Sequence, residues 1–277
     1  MNRQHAWQKT VSVVFLVVAA VIYLLPLYWM ITGSFKIQSD AMKMPPELFP
    51  KNPTLANYRE LIWGGMPTLR WLANSFIVAA GITLGSVLTS AMAGYGFAKK
   101  RFPGSNALFW ILLLTMTTPM QIRLVPLFVM VRKLNLANTY TGAIFPYVAF
   151  PFGVFLTRQF AYTIPNDLLA AAEVDGASEI ATFTKVVLPL LKPALAAVGI
   201  FAFVQGWNQY MWQLVVLTRT EMLTLPVGVA KLVTSASGYN LGLAMAGATF
   251  AFLPMLLMFI FFQKYFVQGI TMGALKG

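Results

Sequence analysis

PNDLLAAAEVDGASEIATFTKVVLPLLKP, residues 165–193, is a polar, proline-bounded interruption in an otherwise apolar chain. Pro165 suits the first turn of a helix, where a missing N–H costs nothing, and the acceptor groups of Asn166 and Asp167 suit the positive end of the helix dipole. A short helix is predicted through Leu168-Leu169-Ala170-Ala171-Ala172-Glu173. Gly176 can take the left-handed conformation that ends a helix and turns the chain. Ser178 then stands as the N-cap of a second helix with Glu179 in its first turn. Ile180, Phe183 and Val187 place an apolar stripe at i, i+3 and i+7 of that helix, which Pro189 and Pro193 are expected to stop. The outcome is a helix–turn–helix with one apolar side for the protein's own bundle and a small-residue side for a partner's groove.

The rest of the composition reads as membrane. A chain of 277 residues with 58% hydrophobic and only 10% charged residues, and a mean hydropathy of +0.69, lies outside the range of soluble domains. Crossing a bilayer takes roughly 20 apolar residues. About six uncharged runs approach that length, at 11–34, 71–98, 107–122, 139–157, 194–217 and 241–262. The first is too long for the apolar core of a signal peptide. It continues into Pro26-Leu27-Tyr28-Trp29 without a small-residue cleavage pattern, so it reads as a retained span.

The formal charge of +12 comes from Lys and Arg scattered between the apolar runs, a pattern of loops flanking a bilayer and not of a nucleic-acid face. Absence of cysteine excludes disulfides, thiolate metal sites and Cys nucleophiles. His5, the one histidine, falls in a short polar N-terminus and reads as solvated. With the N-terminus inside, ten of the 20 Lys and Arg face the cytoplasm and ten face out, so the totals tie. The dense Lys99-Lys100-Arg101 connection favours that orientation. Residues 35–70, with Pro45-Pro46, Pro50, Pro53, Asn57-Tyr58 and Trp63, read as an extended, turn-rich external segment, either a connector or a cover for the outer mouth.

Gln205-Gly206-Trp207-Asn208-Gln209-Tyr210-Met211-Trp212 is a polar cluster inside an expected span. Its amides either bond across helices or line a wet path, in which case Trp207, Asn208, Gln209 and Tyr210 face a polyhydroxylated solute. No G-x-x-x-x-G-K-[ST] is present, so the chain carries no P-loop and must draw energy from elsewhere. An ion-coupled secondary transporter for a small polar solute is the alternative, but such carriers use intramembrane carboxylates and these runs hold none. An intramembrane enzyme lacks H-E-x-x-H, G-x-S-x-G or paired membrane carboxylates. No catalytic or metal-ligating residue is assigned.

Asp175-Gly176-Ala177, Phe183 and Leu188-Pro189 fall at the DGA, Phe and LP positions of the "EAA" loop, and the segment resembles that loop in the membrane subunits of binding-protein-dependent ABC importers. The resemblance covers nearly the whole chain. Tyr95-Gly96-Phe97-Ala98, Arg101-Phe102-Pro103-Gly104, Pro119, Val125-Pro126-Leu127-Phe128, Leu134-Asn135-Leu136 and Asn138-Thr139-Tyr140 look like carbohydrate-uptake permeases. Gln205 to Trp212 is similar to glycerol-3-phosphate permeases, and the C-terminus is similar to that of the maltose-type "G" subunit.

The resemblance implies an all-α membrane protein of about six transmembrane helices with the type I ABC importer permease fold. It implies one domain, 1–277, with an external loop at 35–70, a cytoplasmic coupling loop at 158–193 and a cytoplasmic tail at 263–277. ATPase coupling falls to Ala170, Ala171, Ala172, Glu173, Asp175, Gly176, Ala177 and Phe183. The family's glutamate position is Ala170 here, and Glu173, one turn on, is expected to take over its ion pair with an ATPase arginine. Gly273, Lys276 and Gly277 either fray or insert between the ATPase subunits, and residues 223–240 either reach into the binding protein or form an inert turn. The implied partners are a second permease subunit in a heterodimer, two ATPase subunits that bind ATP and Mg, an extracytoplasmic solute-binding protein and the lipid bilayer, with no nucleic acid. The chain itself needs no cofactor. Both termini are expected in the cytoplasm of a bacterial cell, with the chain in its inner membrane.

Overall fold

Prolines and amides cut the apolar runs into more helices than hydropathy alone marks. The computed structural model describes the backbone of residues 3–233 and 240–274, and side chains at 7, 9–232 and 240–263. Helix α1 is Arg3–Ser34, α2 Gln38–Ala41, α3 Ala56–Trp63, α4 Thr68–Lys99, α5 Ser105–Thr117, α6 Met120–Lys133 and α7 Tyr140–Val148. There follow α8 Pro151–Thr163, α9 Asn166–Val174, α10 Glu179–Leu190, α11 Lys192–Trp207, α12 Met211–Val216, α13 Leu225–Val233 and α14 Leu241–Ala274. Among the described residues there is no strand. Three helices are long and apolar enough to cross a membrane, and up to six spans result if each bent helix pair counts as one.

The runs at 11–34, 71–98 and 241–262 are continuous helix, as expected. The other three are not. The run at 107–122 ends at Thr117, where the chain bends by 105° into α6. Pro119 forces the preceding Thr118 out of the helical region, to φ −77 and ψ 116. The run at 139–157 breaks at Ala149-Phe150 with a 42° bend, because Pro151 opens α8 and holds Phe150 extended. The run at 194–217 breaks over 208–210, where Asn208 ends α11 with its backbone N–H on the Val204 carbonyl.

A broken helix at membrane depth frees carbonyls that lipid cannot satisfy. At the α7–α8 break they are satisfied by α4. The Ser86 hydroxyl donates to the Tyr147 carbonyl at 3.1 Å, and the Thr89 hydroxyl donates to that of Val148 at 2.7 Å. Small residues allow this approach: a Cβ at Gly153 would lie 2.3 Å from the Ser90 hydroxyl oxygen, and one at Gly94 would lie 2.6 Å from Thr157.

The chain divides into two compact units, Met1–Leu69 with Gly228–Pro254, and Arg70–Val227 with Met255–Gly277. In the first, the 35–70 segment is folded and not simply extended. Leu61 is fully buried, and the buried Asn57 amide donates to the carbonyls of Ser34 and Lys36 at 2.9 and 2.8 Å. The Lys36 ammonium lies 4.9 Å from the Trp29 ring centre and donates to the Glu47 carbonyl. The second unit carries α5 to α12 with most of α4, and both candidate sites.

Replacing Thr89 with Val keeps the shape and removes the donor to the Val148 carbonyl. Thermal unfolding in detergent should show a loss of roughly 1 kcal/mol, in the range of intramembrane hydrogen bonds, and an unchanged midpoint would deny that the break depends on α4.

Candidate functional site

The segment 165–193 folds as a hairpin. Helix α9 ends in a paired capping arrangement, with the Ala177 N–H donating to the Ala172 carbonyl at 2.9 Å and the Gly176 N–H donating to that of Glu173 at 3.0 Å. Gly176 sits at φ +76, and a Cβ there would meet nothing within 4 Å. The backbone conformation alone therefore favours glycine. Ser178 caps α10, its hydroxyl accepting from the Ala181 N–H at 3.3 Å.

Two details depart from the sequence expectation. Ile180 is 76% exposed, so the apolar stripe consists of Phe183 and Val187 without it. Ile180 stands at the distal tip of α10, beyond the reach of the unit's core. Pro189 does not stop α10, which runs on to Leu190 before a 77° bend into α11. The helix accommodates it by widening to a π-turn over Thr182–Val187, in which Leu188 N–H bonds to the Phe183 carbonyl. A normal turn would have pressed the Pro189 ring on the Lys185 carbonyl, which also gets no N–H from it.

The inner face of the hairpin joins a core of Ala91, Tyr95, Ala161, Ile164, Val187, Leu191 and Leu195, with Phe183 and Leu169 packed on it. The Phe183 ring lies 5.4 Å from that of Tyr95. Ala172 is the buried alanine of α9, whereas Ala170, Ala171, Glu173 and Asp175 are exposed and Ala177 is half-buried. Val174, which the sequence reading passed over, is 87% exposed. Glu173 forms no ion pair among the described residues, and like Ala170 it is exposed.

The C-terminal end of α4 clamps the hairpin. Lys99 donates to the Ile164 carbonyl at 2.6 Å and to the Asn166 side-chain oxygen at 2.9 Å, which fixes the start of α9. The start of α10 is fixed by Glu179, which accepts from Lys100 at 2.5 Å and from the Tyr95 hydroxyl at 2.9 Å. The Lys100 bond, helped by Tyr95, holds the Glu179 carboxyl below the usual carboxylate range and raises the ammonium of Lys100. On sequence alone Lys99 and Lys100 read as charges that set topology. Their signal was their place at the end of a span, level with a loop that carries four carboxylates.

Of the path candidates, Trp207 is 2% exposed and packs at 4.9 Å on Phe76 and 6.0 Å on Phe203 as a core aromatic. Asn208 is exposed and Gln209 and Tyr210 are half-buried at the break between α11 and α12. Beside them lies a residue that the sequence reading missed. Gln213 is fully buried, its amide nitrogen donates to the Ala143 carbonyl at 3.5 Å, and its side-chain oxygen has no donor. Lys276, Gly277 and residues 234–239 lie outside the described residues, and Gly273 is described as backbone of α14 only.

Three to six candidate spans, a break between α7 and α8 whose carbonyls α4 satisfies, and a polar hairpin define the class, a helical membrane protein. Residues 81–272 match the family of the binding-protein-dependent transport system inner membrane component. An arabinooligosaccharides transport system permease protein of Bacillus subtilis is 36% identical over 99% of this chain and 98% of its own length. An sn-glycerol-3-phosphate transport system permease protein of Brucella abortus is 30% identical over 98% of this chain and 99% of its own length. The fold matches a bacterial ABC transporter involved in the import of the acidic polysaccharide alginate, with a TM-score of 0.84 over 96% of this chain and 99% of that one, at 22% identity. The chain belongs to the family of binding-protein-dependent transport system inner membrane components, and it is an ABC importer permease with the type I fold.

Because Glu179 is more acidic in the folded protein than in the unfolded chain, its contribution is complete above the ordinary value near 4.5 and is lost as pH falls through the lowered native one. Hydrogen exchange of the 166–190 amides should therefore accelerate below about that pH. Glu179→Gln should accelerate it at neutral pH by the equivalent of about 0.5–1 kcal/mol, the usual worth of an exposed pair. Unchanged protection in both cases would contradict the clamp.

Proposed function

We propose that this permease carries a sugar, polyol or glycerol-phosphate-type solute inward, with ATP and Mg bound and hydrolysed in two partner ATPase subunits. The transported class follows the two curated relatives, one named for arabinooligosaccharides and the other for sn-glycerol-3-phosphate. A second permease subunit supplies the other wall of the path, and an extracytoplasmic solute-binding protein delivers the solute. The chain lies in a bacterial inner membrane with both termini and the hairpin in the cytoplasm. The observation that carries the coupling role is the glycine-locked hairpin with Ala170, Ala171, Glu173 and Asp175 turned out and α4 clamped behind it.

The hairpin can transmit motion because its turn, its cap and its clamp leave it no internal slack. Closure of the ATPase subunits draws it inward, and α4 carries the displacement along its length. The path between the two permease subunits then opens to the other side. Coupling requires only that the ATPase contacts differ between its two states. Glu173 meets an ATPase arginine in place of the family's glutamate at Ala170, and Phe183 keys the hairpin to Tyr95. Asn208, Gln209 and Tyr210 line the path, supported by Trp207. The tail with Gly273, Lys276 and Gly277 reaches the ATPase pair.

In the reconstituted transporter, Gly176→Val places a β-branched residue in the left-handed region at a cost of about 2 kcal/mol. Solute uptake should drop several-fold, with basal ATPase activity freed from solute control. Gly176→Asn, which tolerates that conformation, should retain uptake. Equal uptake in all three proteins would contradict the coupling role. Glu173→Gln should weaken ATPase recruitment, measured by co-purification, and undiminished recruitment would remove the proposed ion pair.

A further inference from the structure

Helix α4 places about 44 Å between Arg70 and Lys99 at 1.5 Å per residue, enough to cross a membrane. On the same scale Ser86 stands about 24 Å from Arg70 and about 20 Å from Lys99, so it marks the middle of the bilayer. Its hydroxyl bonds the Tyr147 carbonyl, which puts Tyr147 at that depth. The Tyr147 hydroxyl donates in turn to the Met120 sulfur at 3.6 Å, which brings the start of α6 there as well. Arg123 follows one turn along α6, near enough for its charge to act on the Tyr147 hydroxyl. The uncharged run at 107–122 stops just short of Arg123, so hydropathy leaves it outside a span. The fold brings it in, because α5 has only 13 residues, about 20 Å, before the chain turns by 105°.

An arginine at this depth needs an anion or water. Arg123 is exposed and forms no ion pair among the described residues. The sequence has no carboxylate at 61–166 or at 180–220. Glu221 is anchored through its carbonyl to Asn74, about 18 Å from Ser86 along α4. The backbone beside Arg123 is open too. Among the described residues, no group outside α5 and α6 hydrogen-bonds to residues 114–119, in contrast to the break between α7 and α8. Irregular backbone of that kind at membrane depth belongs on a water-filled cavity.

We propose that Arg123 lines the translocation path and binds the anionic group of the solute, with the Tyr147 hydroxyl as a second donor. The assignment rests on the importer reading above and narrows its solute classes to the anionic one, a glycerol-phosphate-type solute. A guanidinium offers paired N–H donors that fit two oxygens of a phosphate, and such a contact is stronger than a bond between neutral groups. The thioether that Tyr147 now donates to is a weak acceptor, readily exchanged for a phosphate oxygen.

The test is ATP-driven uptake into proteoliposomes by the assembled transporter with the solute-binding protein of the same system, using labelled sn-glycerol 3-phosphate and, in parallel, a neutral arabino-oligosaccharide. The unsubstituted transporter should accumulate the phosphate and not the neutral sugar. Arg123→Gln should lower uptake of the phosphate about tenfold, as expected for a lost hydrogen bond to a charged group, and Tyr147→Phe should lower it about threefold. Arg123→Lys, which keeps the charge and loses the paired donors, should fall between Arg123→Gln and the unsubstituted protein. All three variants should keep the second permease subunit on gel filtration. Phosphate uptake indifferent to Arg123→Gln would overturn the proposal, and so would loss of the second subunit in that variant, which would make Arg123 an interface contact. Uptake of the neutral sugar alone, or of neither probe, would overturn the solute assignment and leave the importer reading standing. ATPase activity that the binding protein does not stimulate would sink the importer reading itself.

Discussion

The clamp between the end of α4 and the hairpin is the constraint on which the rest depends. Lys99 holds the entry to α9, while Lys100 and Tyr95 hold the entry to α10 through Glu179. The pair is exposed and individually worth little. Its effect comes from position, because it fixes both arms of a hairpin whose turn is already locked by Gly176. The Tyr95–Phe183 contact and the buried Val187 and Leu191 add the apolar support that single ion pairs lack. A push on Glu173 or Asp175 thus reaches a helix long enough to cross the membrane without passing through a flexible joint.

The same helix supplies what the broken spans need. Ser86 and Thr89 satisfy the carbonyls freed before Pro151, and Gly94 meets Thr157 closely enough that a Cβ would collide. Irregular backbone survives in lipid only under such conditions. Helix α4 is therefore the spine of the second unit, with the clamp at one end and, at the other, the bonds of Trp71 and Asn74 to the carbonyls of Thr220, Glu221 and Leu223. Coupling between the two faces needs an element that both can bias, and α4 is bonded at each end, by Trp71 and Asn74 to the 220–223 segment and by Lys99 and Lys100 to the hairpin.

Much of the hairpin was legible because its determinants are local. A glycine after an alanine-rich helix, a serine three residues before an amide it can cap and a proline at a first turn act through their own backbone neighbours. The spans were legible in number but not in shape. Hydropathy measures length and polarity, so the prolines at 119 and 151 sat in plain view inside two runs while their bends of 105° and 42° went unforeseen. The exposure of Ile180 and the π-turn before Pro189 depend on where the surrounding core stops, which no heptad-like pattern encodes. Lys99, Lys100 and Gln213 were missed for a related reason: each matters through a residue far away in sequence, at Asn166, Glu179 and Ala143 in turn.

The chain contains no cysteine, so a single introduced thiol reports one place without background. Val174→Cys puts it on the outermost point of the hairpin, at a position 87% exposed in the native protein. Treated with a short bifunctional thiol reagent in the assembled transporter, it should cross-link to an ATPase subunit carrying a matching thiol in its docking groove, with a yield that changes when ATP is added. A cross-link to no ATPase subunit, or one equally strong from Arg132→Cys at the other end of the molecule, would contradict the account of the hairpin as the contact through which ATP moves the path.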